Sequence, residues 1–311
     1  MRSHELICVV AGGDIPPPDD LTQCVHAGPY TAVLSSAPRP AMVLPMSRKT
    51  AMTQAAERQK VYEALLPSGT VLAAKPQQWM QLDQAAAFLT CNAPVFDDLC
   101  AWLDAKVQFQ ITVAWDEKNV LGHFRDAPEI APLFSAEQAT APMLEHALAR
   151  LRNRLAGQVR HLLDTVVTDI IALPITDGML CNLVALVPAS EEEQLDRCIE
   201  QIDAIWSEGL NIRQIGPSAA GSFALLDLDW IAAETVDAAC ARLSLSVGAS
   251  AEERRTARRR ALISAQHDAS EIRLAARIVD AAQHASKAGF HLATVLSEDP
   301  GMGDTNWSAV A

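Results

Sequence analysis

Five short stretches of the chain carry residue types that could do chemistry, and each implies a different kind. Gly12-Gly13 closes an apolar run, where a glycine-rich loop could cradle phosphate. Such a loop needs a helix N-terminus directly after it, because free backbone N–H groups hold the anion. Three prolines at 16–18 stand there instead, and proline has no N–H to offer. Gly216-Pro217-Ser218-Ala219-Ala220-Gly221 approaches a nucleophile elbow, but its spacing is Gly-x-Ser-x-x-Gly and a strand is expected to follow rather than a helix. It reads as a Gly/Pro turn between two strands. Cys24-Val25-His26 and His161-x-x-Asp164 each offer two metal ligands, without the second pair that a closed zinc site requires. The eight histidines form no His-Glu-x-x-His cluster. No catalytic residue, metal site or cofactor is therefore expected.

The fifth stretch is Glu252-Glu-Arg-Arg-Thr-Ala-Arg-Arg-Arg260. On a helix Arg254 and Arg258, like Arg255 and Arg259, sit four residues apart, so positive charge gathers on adjoining faces. A nucleic-acid patch would add aromatic side chains or a basic domain around it, and neither is present. The stretch reads as a solvated helix start, with an acidic protein partner or self-association as the functional alternatives.

Elements to position these residues are legible in the periodicity. Residues 6–11 form an apolar run too short for a signal sequence, with Glu5 just ahead of it, and predict a buried first strand. Residues 30–35 predict a second strand, and 46–66 a helix with Ser47 as N-cap that stops at Pro67-Ser68-Gly69. A short strand at 70–74 and a helix at about 95–105 follow. Residues 107–115, Val-Gln-Phe-Gln-Ile-Thr-Val-Ala-Trp, alternate with the period of a strand that has one wet face.

Leu144, Leu148, Leu151, Leu155, Val159, Leu162, Val166 and Ile170 recur at steps of three and four, an apolar stripe on one long helix that Gly157 could bend. Further strands are expected at 179–187, 211–215 and 223–228. A helix from Ser190 to Trp206 lies among them, opened by Ser190-Glu-Glu-Glu193 as a capping box. From Trp230 the chain reads as almost entirely helical, with Leu262, Ala265, Ala269, Ile272, Ala275, Val279 and Ala282 on one face and a frayed tail from Ser297.

Composition narrows the function. With 311 residues and a formal charge of −13, the chain has room for two domains and opposes binding to nucleic acid or anionic membranes. No apolar run approaches the roughly 20 residues needed to span a bilayer. Seven cysteines without a Cys-x-x-Cys pair fit a reducing compartment, so a cytoplasmic protein is expected.

Four passages in order resemble the gas vesicle GvpF/GvpL family. They are Gly28-Pro-Tyr-Thr-Ala-Val-Leu-Ser-Ser-Ala-Pro38, Tyr62-Glu-Ala-Leu-Leu-Pro-Ser-Gly-Thr-Val-Leu72, Asn182-Leu-Val-Ala-Leu-Val187 and Leu210-Asn-Ile-Arg-Gln-Ile-Gly-Pro217. Of that family's aromatic passage after Gly-Pro, Ser222-Phe223 remains. The likeness spans roughly residues 5–228.

It implies an α+β protein of two ferredoxin-like α/β sandwich domains joined by a long helical segment, with a helical C-terminal extension. The expected partition is 1–125 for the N-terminal domain, 126–230 for the helical linker and second domain, and 231–311 for the extension and flexible tail. The implied role is a non-catalytic accessory protein of gas vesicle assembly, in the cytoplasm or associated with the gas vesicle itself. It would bind the hydrophobic shell protein GvpA and other vesicle accessory proteins, with Gly216, Pro217, Phe223, Arg254 and Arg258 as candidate contact residues. The rival reading is a small-molecule enzyme or ligand-binding protein on a ferredoxin-like scaffold, built where Ser218, His26 or His161 meets other polar groups.

Overall fold

The computed structural model describes residues 3–39, 47–135, 140–246, 248–264, 268–285 and 289–296. The chain divides into two units, Met1–Asp104 with Phe223–Ala311, and Ala105–Ser222.

The first unit is centred on β1 (Ser3–Ala11), whose Leu6, Cys8, Val9 and Val10 are all fully buried. An uninterrupted apolar run suits a strand covered on both faces. A hairpin of β2 (Thr22–Ala27) and β3 (Tyr30–Pro38) pairs with it antiparallel. The hairpin loop is Gly28-Pro29, with Gly28 at φ 60°, which matches the first position of a primed turn. Helix α1 (Arg48–Leu65) is capped by Ser47, whose Oγ accepts the Thr50 N–H at 3.1 Å. Pro67 and Ser68 then form a 3-10 turn before β4 (Thr70–Ala73).

Here two backbones cross closely. A Cβ on Gly69 would lie 1.8 Å from the Ala11 carbonyl oxygen, and one on Gly12 would lie 2.3 Å from that of Ser68. Strand β5 (Trp79–Gln81) takes over from β4 as the neighbour of β1, pairing Ser3–Glu5 where β4 pairs Cys8–Ala11. Arg58 fills the gap at the change of partner. Its guanidinium donates to the carbonyls of Ile7 and Ala74 and pairs with Glu5 at 2.8 Å. The sheet order is β2-β3-β1-β4 with β5 beside β1. Helices α2 (Leu82–Cys91) and α3 (Ala93–Leu103) follow, separated by Asn92 alone. The sequence reading has only the second of them.

Residues Ala105–Ser222 form the second unit. Strand β6 (Lys106–Trp115) alternates along its whole length, with Val107, Phe109, Ile111, Val113 and Trp115 buried. Two short helices, α4 (Val120–His123) and α5 (Ala131–Ser135), precede the long α6 (Ala141–Leu163). Then come β7 (Asp169–Ala172), β8 (Met179–Pro188), α7 (Glu192–Asp203) and β9 (Leu210–Ser218). The sheet order is β7-β8-β6-β9, antiparallel throughout.

Several expectations change here. The strand at 106–115, grouped by the sequence partition with the first hundred residues, pairs with β8 and β9; alternation reveals a wet face but not a partner. Helix α6 runs unbroken through Gly157, and its stripe ends at Leu163, because Val166 lies in a turn and Ile170 in β7. A 3-10 turn at Ala189–Glu191 displaces the start of α7, so Ser190 makes no cap. Gly216-Pro217 lies inside β9 as a cis peptide rather than in a turn.

Residues beyond 223 rejoin the first unit. They comprise β10 (Leu225–Ile231), α8 (Ala233–Arg242), α9 (Ala251–Ser264), α10 (Ala269–Ala282) and β11 (Phe290–Leu296). The expectation of an almost entirely helical stretch from Trp230 is corrected by β11, which pairs antiparallel with β10 over seven residues. Ser250 and Glu253 form a capping box at the start of α9, which the sequence reading assigned elsewhere. Ala265 and the tail from Ser297 lie outside the described residues.

Ile272, Ala275, Val279 and their neighbours on α10 form a core with Val236, Cys240, Leu243, Phe290 and Leu292. The buried Asn92 ties this core to the N-terminal residues. Its Nδ2 donates to the carbonyls of Phe88 (2.8 Å) and His291 (3.0 Å), and its Oδ1 accepts the Ala293 N–H at 2.8 Å. Asp227 on β10 accepts from Lys75 Nζ at 3.0 Å and Gln78 Nε2 at 2.6 Å.

Candidate interaction surfaces

Each stretch with chemical potential now has a place. Gly12 and Gly13 both donate their N–H groups to the Pro29 carbonyl, at 3.2 and 3.1 Å, so neither is free for an anion. His26 lies between Asp14 (Nε2 to Oδ1, 2.8 Å) and Thr31 (Nδ1 to Oγ1, 2.7 Å), an order that mimics a catalytic triad. The Thr31 hydroxyl is fully buried and donates to the Gly13 carbonyl, so its oxygen faces no substrate. A nucleophile must instead be reachable, with its proton aimed at the base. The arrangement fastens the loop after β1 to the hairpin.

Ser218 is buried at the end of β9, and its Oγ donates to the Gln108 carbonyl at 3.4 Å. His161 lies near the end of α6, and Asp164 faces Arg160 at 3.8 Å. Among the described residues no group of three or more His, Cys, Asp or Glu could hold a metal. Burial pushes the thiols of Cys24, Cys91, Cys100 and Cys181 up to about 11, and those of Cys8, Cys198 and Cys240 upward too. Protonated thiols are poor nucleophiles and poor ligands, so these side chains serve as small apolar packing.

What remains is surface. Strand β9 is an outer strand of its sheet and pairs only with β6 among the described residues. Asn211, Arg213, Gln214, Ile215, Gly216 and Pro217 are all exposed along it. An outer strand offers a row of backbone donors and acceptors to another chain, and prolines and charges blunt it. Here Pro217 and Arg213 do so in part, while Ile215 remains 43% exposed. Residue 216 must be glycine: φ is 142°, and a Cβ would lie 2.6 Å from the Phe109 ring and 2.8 Å from the Gln108 carbonyl oxygen. Phe223, a third candidate contact, is 1% exposed and belongs to the core.

The two candidate arginines differ sharply from each other. Arg254 is largely enclosed, with its Nε on Asp280 at 2.6 Å and another nitrogen on the Ala249 carbonyl at 2.6 Å. It fastens α9 to α10. Arg258, one turn on, is exposed and makes no ion pair among the described residues. Spacing alone cannot separate these two roles, because only the packing of α10 puts an aspartate against one of them.

No helix of the described residues is long and apolar enough to cross a membrane. Residues 8–224 match the model of the family described as gas vesicle synthesis protein GvpL/GvpF. In fold the chain is similar to the crystal structure of the gas vesicle protein GvpF from Anabaena sp. PCC7120, with a TM-score of 0.53 and 17% identity. That likeness covers 71% of this chain and 97% of the other. It is also similar to gas vesicle protein GvpF from Microcystis aeruginosa, with a TM-score of 0.51, 19% identity, and coverage of 71% and 98%. No curated protein matches. Strand β10, helices α8 to α10 and strand β11 lie beyond the matched residues.

Proposed function

Because the chain belongs to the gas vesicle synthesis protein GvpL/GvpF family, we propose that it is a non-catalytic accessory protein of gas vesicle assembly. It acts in the cytoplasm by binding the hydrophobic shell protein of the GvpA type and other vesicle accessory proteins. The family match over residues 8–224 is the observation that carries this reading. Physical chemistry makes the role coherent. A small hydrophobic subunit would aggregate through apolar surface and strand edges unless another protein held them before it joined the wall.

The fold proposed for Ala105–Ser222 is a ferredoxin-like α/β sandwich. Support comes from its element order β6-α6-β7-β8-α7-β9, a split βαβ pattern, and from its sheet order. In the first sheet the β2-β3 hairpin comes before the first helix, a departure from that order. The outer strand β9, with Ile215 and the Gly216-Pro217 peptide exposed, is the proposed contact for an extended segment of a partner.

Co-purification of the tagged full chain with a co-expressed GvpA-type shell protein tests the reading. Retention of the shell protein is the expected result, weakened by Ile215→Lys on the exposed face. Recovery of the folded chain without any shell protein would sink it.

A further inference from the structure

The surface between α9 and α10 stands apart from the rest of this acidic chain. Acidic residues number 38 against 25 basic ones, so a local excess of arginine runs against the charge of the whole chain. Helix α9 nevertheless carries five arginines and two glutamates. Arg254 is neutralised by Asp280, and Arg255 meets Glu252 at 3.0 Å with both side chains about three-quarters exposed. Such an exposed pair is weak and readily exchanged. Arg258, Arg259 and Arg260 make no ion pair among the described residues.

At 100° per residue Arg255, Arg258, Arg259 and Leu262 share one flank of α9. Arg255 and Arg258 border a small cleft of about 50 Å³, with Leu243, Ala276 and Val279 on its apolar side. Arg254 and Asp280 line it too, paired with each other, so the guanidinium groups left for an incoming carboxylate are those of Arg255 and Arg258. The Arg254–Asp280 pair shows the local geometry suits guanidinium–carboxylate contact.

We propose that this flank of α9 is a docking site for an acidic segment of a protein partner, one carboxylate entering the cleft beside Arg255 and Arg258. Charge complementarity supports that occupant. Neither α9 nor α10 carries an aromatic side chain on which a nucleobase could stack, which argues against a nucleic acid as the occupant. Exposed Leu262 beside the arginines adds an apolar contact for an amphipathic segment. The site does not rest on the gas vesicle reading, because α9 lies beyond the matched residues 8–224.

The test is fluorescence anisotropy of a fluorescein-labelled peptide of alternating Glu and Leu, titrated with the full chain at low salt. Its counterpart with Gln for Glu and a labelled single-stranded oligonucleotide are run beside it. The acidic peptide is expected to bind, with the Gln counterpart weaker by at least about tenfold, on the scale of one charge-assisted hydrogen bond. Arg258→Gln should weaken binding by about tenfold and Arg255→Gln/Arg258→Gln by about a hundredfold, with Arg258→Lys between wild type and Gln because it keeps charge but loses the planar fork. Arg150→Gln, on the exposed surface of α6, should change nothing. Circular dichroism melts confirm folding, and if the double variant fails them the single exposed Arg258→Gln decides. The proposal is overturned by no binding of the acidic peptide, by equal binding of the Gln peptide, or by arginine variants that bind like wild type. Tighter binding of the oligonucleotide overturns it as well, and so does a dimer of this chain that the same variants abolish, which would make a second copy the occupant.

Discussion

In the unit Ala105–Ser222 every strand comes from one continuous stretch, and the central β6 alternates buried and half-buried residues from end to end. In the other unit the central β1 is buried on both faces, and part of the core arrives from residues 225–296, more than a hundred positions later. Alternation suffices to set register where one face of a sheet is wet, because a one-residue slip would turn every apolar side chain outward. Where both faces are dry that signal vanishes. The assembly then depends on specific polar ties such as Asn92 to β11 and Lys75 and Gln78 to Asp227.

Breaking the local unit should take a steric change. A Cβ on Gly209 would lie 1.9 Å from the Trp206 ring, which is itself buried and stacked on His123 at 4.8 Å. Gly209→Ala is therefore expected to cost about 3 kcal/mol by overpacking. Urea unfolding measures it, and hydrogen exchange should show the loss in β6 and β8 first.

Breaking the long-range unit should take only a hydrogen-bonding group. Asn92→Ala removes two donated bonds and one accepted bond at a fully buried position, leaving the His291 carbonyl and the Ala293 N–H without that partner. A cost of about 2 kcal/mol follows. The amides of β11 should lose exchange protection while those of β6 keep theirs; equal loss in both would refute the distinction.

Asp227→Ala is expected to cost about 1 kcal/mol, since Lys75 is 44% exposed and water screens its charge. The smallest effect is a pH dependence. Burial holds His291 below the ordinary imidazole range, beside Trp230 at 5.0 Å. The unfolded chain then binds the proton more readily than the folded one. Stability should fall as pH drops below about 6.5 and return as pH rises again. Comparing urea midpoints of wild type and His291→Gln across that range reads the difference, and identical slopes would remove His291 as the cause.

Strong local signals carried much of this reading. The Ser47 cap, the stop at Pro67-Ser68, the β6 alternation and the apolar stripe of α6 as far as Leu162 stand where the residues put them, because each is decided within a few turns of chain. Helix α2 is hard to read in the sequence because none of the preferred Ser, Thr, Asp or Asn caps opens it; Gln81 and Gln84 supply its capping box, with Asp83 in the first turn. Strand β11 is hidden because the segment before it is helical and its own seven residues find their partners 59 to 71 positions upstream in β10. The candidate surfaces were legible as residue types only. Gly216, Pro217 and Arg258 are exposed, Phe223 is buried and Arg254 is bound to Asp280, distinctions that spacing does not contain.

By itself the sequence determined an acidic chain of mixed helix and strand, the caps and periods of its longer elements, and a resemblance to a gas vesicle family. These rest on composition and on interactions within a few residues. Only the tertiary structure decided that β6 pairs with β8 and β9, that residues beyond 223 complete the core around Asn92, and which arginines of α9 face outward. Those outcomes depend on which distant surfaces bury one another, and burial is a property of the assembled chain rather than of any window along it.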